Sequence, residues 1–340
     1  MQRASGSLFG LAFGDALGKP TEFLSVPEIL QRYGPRGPRQ LVGDPALVTD
    51  DTQMALAVAW ALYETPAPGD GPSGGDRWRA EAVEPLLRSR FIRWALSPDN
   101  NRAPGQTCML ACAALEDGYR WQRATVTGSK GCGANMRVTP VGLLPGIDDD
   151  TLAGLAQLQA GMTHGHPTAL AAAELTAYAV KVLAFEGAAL TELPSLLRGR
   201  CVEQRTVYRD DWLEDLWERP GATTPDDFVA RGWDECLAVL DRLDTALAAP
   251  DREADPCDAT GQGWVAEEAL ATALLCALLF PDEPVAALGR AATTAGDSDS
   301  IACLAGALLG AAHGMAAWPD GWAERIEYAD QLRTLGRAWD

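Results

Sequence analysis

Two short stretches of acidic and hydroxyl residues, far apart in the chain, carry oxygen ligands at spacings that suit a hard cation. The first, Val48-Thr49-Asp50-Asp51-Thr52-Gln53, sets adjacent carboxylates between hydroxyls just ahead of an apolar run that starts at Met54. Asp and Thr also cap helix starts that do no chemistry, so this stretch alone is ambiguous. The second, Gly296-Asp297-Ser298-Asp299-Ser300, again places carboxylates beside hydroxyls, here at the mouth of a run that is apolar all round. A helix apolar on every face is buried, and carboxylates delivered to its end are buried with it unless something neutralises them. A divalent cation does so economically. Mg²⁺ and Mn²⁺ accept carboxylate, hydroxyl and water oxygens in octahedral geometry, and Thr49, Asp50, Asp51, Asp297, Asp299 and Ser300 offer enough oxygens for two ions. Two such ions can orient hydroxyls and acidify a bound water. Neither stretch has the loop with a closing Glu that an EF-hand calcium site requires.

The elements that must position these residues read as helices. Helical periodicity predicts helices at 52–64, 77–96, 107–118, 152–159, 168–185, 226–247, 264–279, 284–293, 301–315 and 322–335, and no alternating run of strand length is visible, so the expected class is all-α. The Pro/Gly-rich tract at 65–75 separates two of these helices. Motifs with chemistry lie on both sides of it, which favours a surface loop within one domain spanning 1–340 over an interdomain linker.

Composition narrows the function. The 340 residues are 47% hydrophobic and 22% charged, too apolar for a disordered chain. The net charge of −19 opposes general coating of nucleic acid, though not the grip on a single nucleotide unit. Eight cysteines with no CxxC pair, and only three histidines, read as buried thiols of a reducing compartment rather than a zinc site. Asp15 interrupts the amino-terminal apolar stretch before it could serve as a signal-peptide core, and the Ala/Gly-rich run 301–318 reads as a buried helix rather than a membrane span. A cytoplasmic protein with no membrane partner is expected.

Six motifs occur in order: GLAFGDALGKPTEF at 10–23, VTDDTQMAL at 48–56, GCGANMRVTPVGLL at 131–144, THGHP at 163–167, GQGWVAEEAL at 261–270 and GDSDSIACLAGALLGAAHG at 296–314. Each alone is weak, but together they cover nearly the whole chain. In this the sequence resembles the ADP-ribosylglycohydrolase family, which includes dinitrogenase-reductase-activating glycohydrolases and ADP-ribosyl-acceptor hydrolases. The resemblance implies an all-α domain, a compact orthogonal multi-helix bundle with a binuclear metal cleft, where two Mg²⁺ or Mn²⁺ ions sit beside bound ADP-ribose and the bond at its anomeric carbon is cleaved. Thr49, Asp50 and Asp51 would form the first metal segment, and Asp297, Asp299 and Ser300 the second, with Ser300 standing where many relatives carry Thr.

The same resemblance suggests roles for further residues, each with a plainer reading beside it. Glu22 matches an acidic residue that in relatives serves as ligand, gate or proton handler, or else it is an exposed Glu. Asp15 reads as a cap or as an orienting neighbour of the metal ligands. Gly131, Cys132 and Gly133, followed by Asn135, Met136 and Arg137, resemble the family's Gly-Asn-Gly loop, whose backbone amides approach phosphate and ribose oxygens; Cys132 replaces the commoner Asn and leaves the backbone role intact. His164 matches a histidine near the distal ribose, or is a structural residue at a helix start. Gly261, Gly263 and Trp264 match a segment near the nucleotide, where Trp264 either stacks on adenine or belongs to the core; Tyr208 is a weaker aromatic candidate. Asp99 lies roughly where some relatives place a catalytic aspartate, in a loop that also favours Asp for turn formation.

The reaction this implies is hydrolysis of an ADP-ribose glycosidic linkage, with Glu22, Asp99 or a metal-bound carboxylate taking the proton. The acceptor could be an ADP-ribosylated protein, a nucleic acid or a small molecule. The alternatives are a catalytically idle module that binds ADP-ribose and a metal-dependent phosphoesterase, which would release AMP and ribose phosphate in place of intact ADP-ribose.

Overall fold

Glycine recurs at every fourth position of the first helix, Arg3–Gly18, and this spacing lines up one smooth stripe along it. In the computed structural model, which describes residues 2–66 and 77–340, that stripe packs antiparallel against the helix Ser298–His313. The two backbones touch. A Cβ on Gly10 would overlap the Gly306 carbonyl, one on Gly14 the Ala302 carbonyl, and one on Gly18 the backbone of Ser298 and Asp299. Ser7 Oγ adds a hydrogen bond of 2.9 Å to the Ala307 carbonyl. Gly18 therefore lies directly against Asp299, so the packing of this pair decides where the second acidic stretch sits.

Further helices wrap the pair. Pro167–Phe185 packs against Asp149–Gly161, Pro225–Ala248, Ala266–Leu279 and Ser298–His313, while Asp50–Glu64 packs against Ala80–Ala95. The main cluster of buried side chains runs from Ala4 to Trp339. Among the described residues there is no β-strand, only isolated bridges such as Gly131 to Val265. All eight cysteines are buried and unbridged. Pro167–Phe185 is the one described helix long and apolar enough to cross a membrane, and 83% of its apolar window is buried inside the molecule.

Several elements differ from expectation. The helix expected at 322–335 is two helices, Trp322–Arg325 and Ala329–Trp339, because Tyr328 between them takes the left-handed conformation at φ 59°. The helix expected from Trp264 begins at Ala266, which frees Trp264 to sit in a loop. Arg3–Gly18, Val26–Tyr33 and Leu193–Gln204 are helices that periodicity did not reveal. From residue 67 the loop expected at 65–75 lies outside the described residues.

Replacing Gly14 with Leu forces the two central helices apart. Overpacking of this kind costs about 3 kcal/mol or more where backbone is in the way, whereas Gly199→Ala, at an exposed helical glycine whose Cβ would meet nothing, should gain up to about 1 kcal/mol. Urea midpoints of the two variants check this; equal midpoints would show that the glycine contact does not matter.

Candidate active site

The first acidic stretch is held from behind by a buried carboxylate. Asp15, fully buried on Arg3–Gly18, accepts hydrogen bonds from the Thr49 amide at 2.9 and 3.0 Å, the Thr49 hydroxyl at 2.9 Å, the Thr52 amide at 3.1 Å and the Thr52 hydroxyl at 2.5 Å. These donors are orphan groups of the helix Asp50–Glu64, and a negative charge at its amino end also suits the helix dipole. Asp15 thus acts as clamp, and leaves Asp50 and Asp51 free to face away. Asp50 Oδ2 accepts from the Gly105 amide at 3.1 Å. Asp51 Oδ2 is buried with no hydrogen-bond partner.

The second stretch meets the first across one cavity of about 530 Å³, lined by Glu22, Asp50, Asp51, Asp297, Asp299 and Ser300 among others. Asp297 caps Ser298–His313 through the Ser300 amide, and its own amide donates to the Gln262 carbonyl at 2.8 Å. Buried Ser298 turns the other way, to Thr21 Oγ1 at 2.9 Å and to the Gly18 carbonyl at 3.2 Å, which ties down the segment leading to Glu22. Carboxylate oxygens of Glu22, Asp297 and Asp299 lie within 4.8 Å of one another.

Burial raises every one of these acids, and mutual repulsion adds to it in all but Asp299. Asp50 and Asp15 are pushed up to about 7 and Glu22 to about 9, in each case by desolvation first, with the Asp299 charge adding to it. Asp51 and Asp297 are driven well above the usual carboxylate range, again by burial and then by Asp299. Asp299 rises for the same first reason, although the Ser300 amide and its own amide pull it back. The arrangement calls for a cation. The unpartnered Asp51 oxygen and the converging oxygens of Glu22, Asp297 and Asp299 fit a hard divalent ion, with the Ser300 hydroxyl beside them. Thr49 is buried behind this wall, its hydroxyl proton directed to Asp15 and one lone pair taken by the Asp51 amide at 3.4 Å, which leaves one for an ion.

The opposite wall offers neutral donors. Gly131, Cys132, Gly133, Met136, His164 and Trp264 line the same cavity. The Gly131–Gly133 loop is fixed by the Cys132 amide donating to the Trp264 carbonyl at 3.1 Å and by Asn135 Nδ2 donating to the Ala266 carbonyl at 2.9 Å. A Cβ on Gly133 would stand 2.8 Å from Cys108 Sγ and 3.0 Å from His164 Cε1, so only glycine leaves this loop against the imidazole. Burial drives the Cys132 thiol well above its usual range, so it faces the acids as a neutral group.

His164 is neutral too: burial, then the Arg137 charge, lower it to about 3. Its tautomer follows from a chain of donors. Arg137 can only donate; it gives one N–H to Thr163 Oγ1 at 2.8 Å, and Thr163 lies 2.8 Å from His164 Nδ1. The Thr163 hydroxyl has one other acceptor in reach, the Ala160 carbonyl at 3.5 Å; with its proton on the nearer Nδ1, the imidazole carries its own on Nε2, the nitrogen beside Gly131 and Gly133.

Other expected residues lie elsewhere. Arg137 is fully buried behind the wall, with two bonds to Gln159 and its guanidinium 4.3 Å from the Phe91 ring centroid; Asn135 is likewise buried and acts on the loop, not in the cavity. Gly261 and Gly263 support the site from outside: both have positive φ, and a Cβ on Gly263 would press on Ile301 and reach to within 3.4 Å of Asp297 Cβ. Asp99 lines a neighbouring pocket with Gln53, Trp60, Trp94 and Tyr328, because its loop turns that end away from the cavity. Tyr208 lines a different pocket again, its hydroxyl donating to the Glu214 carbonyl at 2.8 Å. Two features escaped the sequence reading. The far end of the Asp99 loop, Ala103 to Cys108, lines the cavity and supplies the Gly105 amide, signalled only by the Pro104-Gly105 turn. Exposed Phe23, next to Glu22, lies nearly parallel to Trp264 at the rim, with ring centroids 6.2 Å apart and planes 16° apart.

Comparison with known proteins agrees with this geometry. The family model described as ADP-ribosylglycohydrolase matches residues 1–339. The chain is 25% identical to the ADP-ribosyl-[dinitrogen reductase] glycohydrolase of Rhodospirillum rubrum, covering 96% of this chain and 90% of that one. It is 24% identical to the ADP-ribosylarginine hydrolase Tri1 of Pseudomonas putida (strain GB-1), over 99% of this chain and 77% of that protein. A solved structure titled ADP-ribosylglycohydrolase-related protein complex superposes with a TM-score of 0.64 at 23% identity, covering 99% of this chain and 96% of that one, and so shares its fold. With acids, glycine loop and histidine gathered in one cavity and a family match along the whole chain, this protein belongs to the ADP-ribosylglycohydrolase family.

Proposed function

We propose that the chain hydrolyses the glycosidic bond between ADP-ribose and a modified acceptor, with two Mg²⁺ or Mn²⁺ ions held by Asp50, Asp51, Asp297, Asp299, Thr49 and Ser300. The observation that carries this reading is the meeting of both acidic stretches with the Gly131–Gly133 loop in a single cavity. When bound, the ions supply charge to hold ribose hydroxyls and to lower the pKa of a water. The names of the relatives make an ADP-ribosylated protein the first acceptor class to test, with an arginine linkage foremost.

The residues of the chain divide the remaining work. The Gly133 backbone amide and the Nε2–H of His164 donate to phosphate and ribose oxygens, which needs no Lys or Arg in the cavity. The rim ring of Trp264 offers a flat apolar face to the base. Glu22 combines a place in the acid cluster with partial exposure and stands at the mouth, where it can take and return a proton. Asp99, turned to its own pocket, does not share that task.

A panel of defined ADP-ribosylated substrates, followed by release of ADP-ribose with and without divalent cation, tests the reading. Glu22→Gln should lower kcat by about 10²–10⁴, Asp299→Asn should abolish cation-dependent turnover, and Asp99→Asn should stay within a few-fold of wild type. Binding of ADP-ribose without any release would make the protein a reader instead.

The acids also give a stability signature. In the cation-free protein their folded pKa values stand above the unfolded ones, so the folded state binds extra protons between about 4 and the raised values. Stability is then lost as pH rises through that window. In chelator, the melting temperature should fall from about pH 5 to about pH 8, and Mn²⁺ should raise it more at the higher pH. A cation effect of the same size at both pH values would place the ion away from these acids.

A further inference from the structure

A second pocket gathers the opposite charge. In a chain of net charge −19, Arg36, Arg39, Arg252 and Arg290 converge around a cavity of about 180 Å³ that shares no lining residue with the acidic one. They come from three separate segments, and among the described residues only Arg252 is in an ion pair, although Glu283 also acts on Arg39 and Asp251 on Arg290. Arg252 has only a loose, exposed pair with Glu283 at 3.7 Å, and its guanidinium carbon stands 4.7 Å from the Phe280 ring centroid. Arg36, Arg39 and Arg290 form no ion pair among the described residues, whereas Arg88, Arg102, Arg198, Arg200 and Arg205 elsewhere all do.

The local structure holds these like charges together. Gly34-Pro35-Arg36-Gly37-Pro38-Arg39 is a tandem Gly-Pro-Arg repeat in which Gly34 and Gly37 take positive φ of 81° and 66° and each Pro fixes the residue before its Arg. This stiff turn is pressed onto the carboxy-terminal end of the helix Pro284–Ala291, where a Cβ on Gly289 would meet the Arg36 and Pro38 carbonyls and Arg39 Cγ, each at 3.1 Å. Arg39 Nε donates to the Arg36 carbonyl at 3.3 Å. Arg290 is pinned by bonds from its two terminal nitrogens to the Glu253 and Thr293 carbonyls, and its Nε is buried with no partner.

Four guanidinium groups stand beside three carboxylates, Glu253 and Glu283 and the Asp251 carboxylate that acts on Arg290, which leaves about one positive charge unanswered at this spot. Guanidinium forks match tetrahedral oxyanions in geometry, and pre-organised arginines lose little entropy on binding. We propose that this pocket is a binding site for a small phosphate-bearing anion, separate from the acidic cleft. The cavity is sized for a phosphoryl or pyrophosphoryl group, and Phe280 gives it an apolar side.

Isothermal titration of the full chain with inorganic pyrophosphate tests this, in buffer freed of metals over a chelating resin and at about 150 mM NaCl, where loose surface attraction is screened beyond roughly 8 Å. One saturable site is expected. Arg36→Ala/Arg39→Ala should weaken it at least about tenfold, with ADP-ribosyl hydrolysis and the ligand-free melting temperature unchanged. Arg36→Lys/Arg39→Lys, which keeps the charge and the stem, should weaken it by less but measurably. Glu22→Gln in the cleft should leave binding as it was. Absence of a saturable site, binding indifferent to the double alanine variant, or loss of binding in Glu22→Gln would each overturn the proposal.

Discussion

Glu22, Asp15, Asp50, Asp51, Asp297 and Asp299 are crowded into one region with no Lys or Arg among the described residues paired to any of them, and the rest of the structure is arranged around that cost. Buried like charges repel, and each is also stripped of water. Two things keep the cluster together. The first is a set of backbone amides, from Thr49, Thr52, Gly105 and Ser300, that answer part of the charge without adding a cation. The second is the packing of Arg3–Gly18 on Ser298–His313, where glycines bring the backbones into contact and leave no room for Asp15 and Asp299 to drift apart. Asp51 Oδ2, left without a partner, marks what the amides do not cover. A site stabilised only in part by the protein keeps affinity in reserve for an ion.

The facing wall solves a related problem by a different route. A diphosphate carries negative charge, yet this wall presents the Gly133 amide, a thiol and a neutral imidazole. The nearby cations are committed elsewhere: Lys130, beside the glycine loop, pairs with Glu235 and Glu267, and Arg137 is held by Gln159, Thr163 and Phe91. If either cation entered the cavity it would compete with a divalent ion for the carboxylates opposite. Arg137 acts at one remove, through Thr163, by fixing which nitrogen of His164 carries the proton. Charge is thereby kept off the wall while its direction is still set.

Much of this was legible from residue types. Two acidic stretches at the mouths of apolar helices could be read as one site because burial without neutralisation is so costly, and the structure brings them together. The buried run after Ser300 followed from its lack of any polar face. What failed was direction and local backbone choice. Asp99 and Ala103 belong to one loop, but which end turns to the cavity depends on Gln53 donating to the Asp99 carbonyl and Gly105 donating to Asp50, contacts across some fifty positions of sequence. The first helix was hidden for a physical reason: glycine every four residues lowers helix propensity, and only the partner helix makes up the loss. Arg137 looked like a ligand group from its place in the motif. Its burial behind His164 is a tertiary fact that spacing does not encode.

The charge on this molecule is segregated, and one short segment joins the two poles. Arg290 fixes the Thr293 carbonyl, the Ala295 amide donates to Asp255 at 2.9 Å, and the Asp297 amide donates to the Gln262 carbonyl at 2.8 Å, so the turn between the arginine pocket and the acid cluster is anchored along its length. Arginines placed near the acids would pair with them and compete with any cation; placed apart, they leave the carboxylates of the cleft unanswered by the protein's own charges.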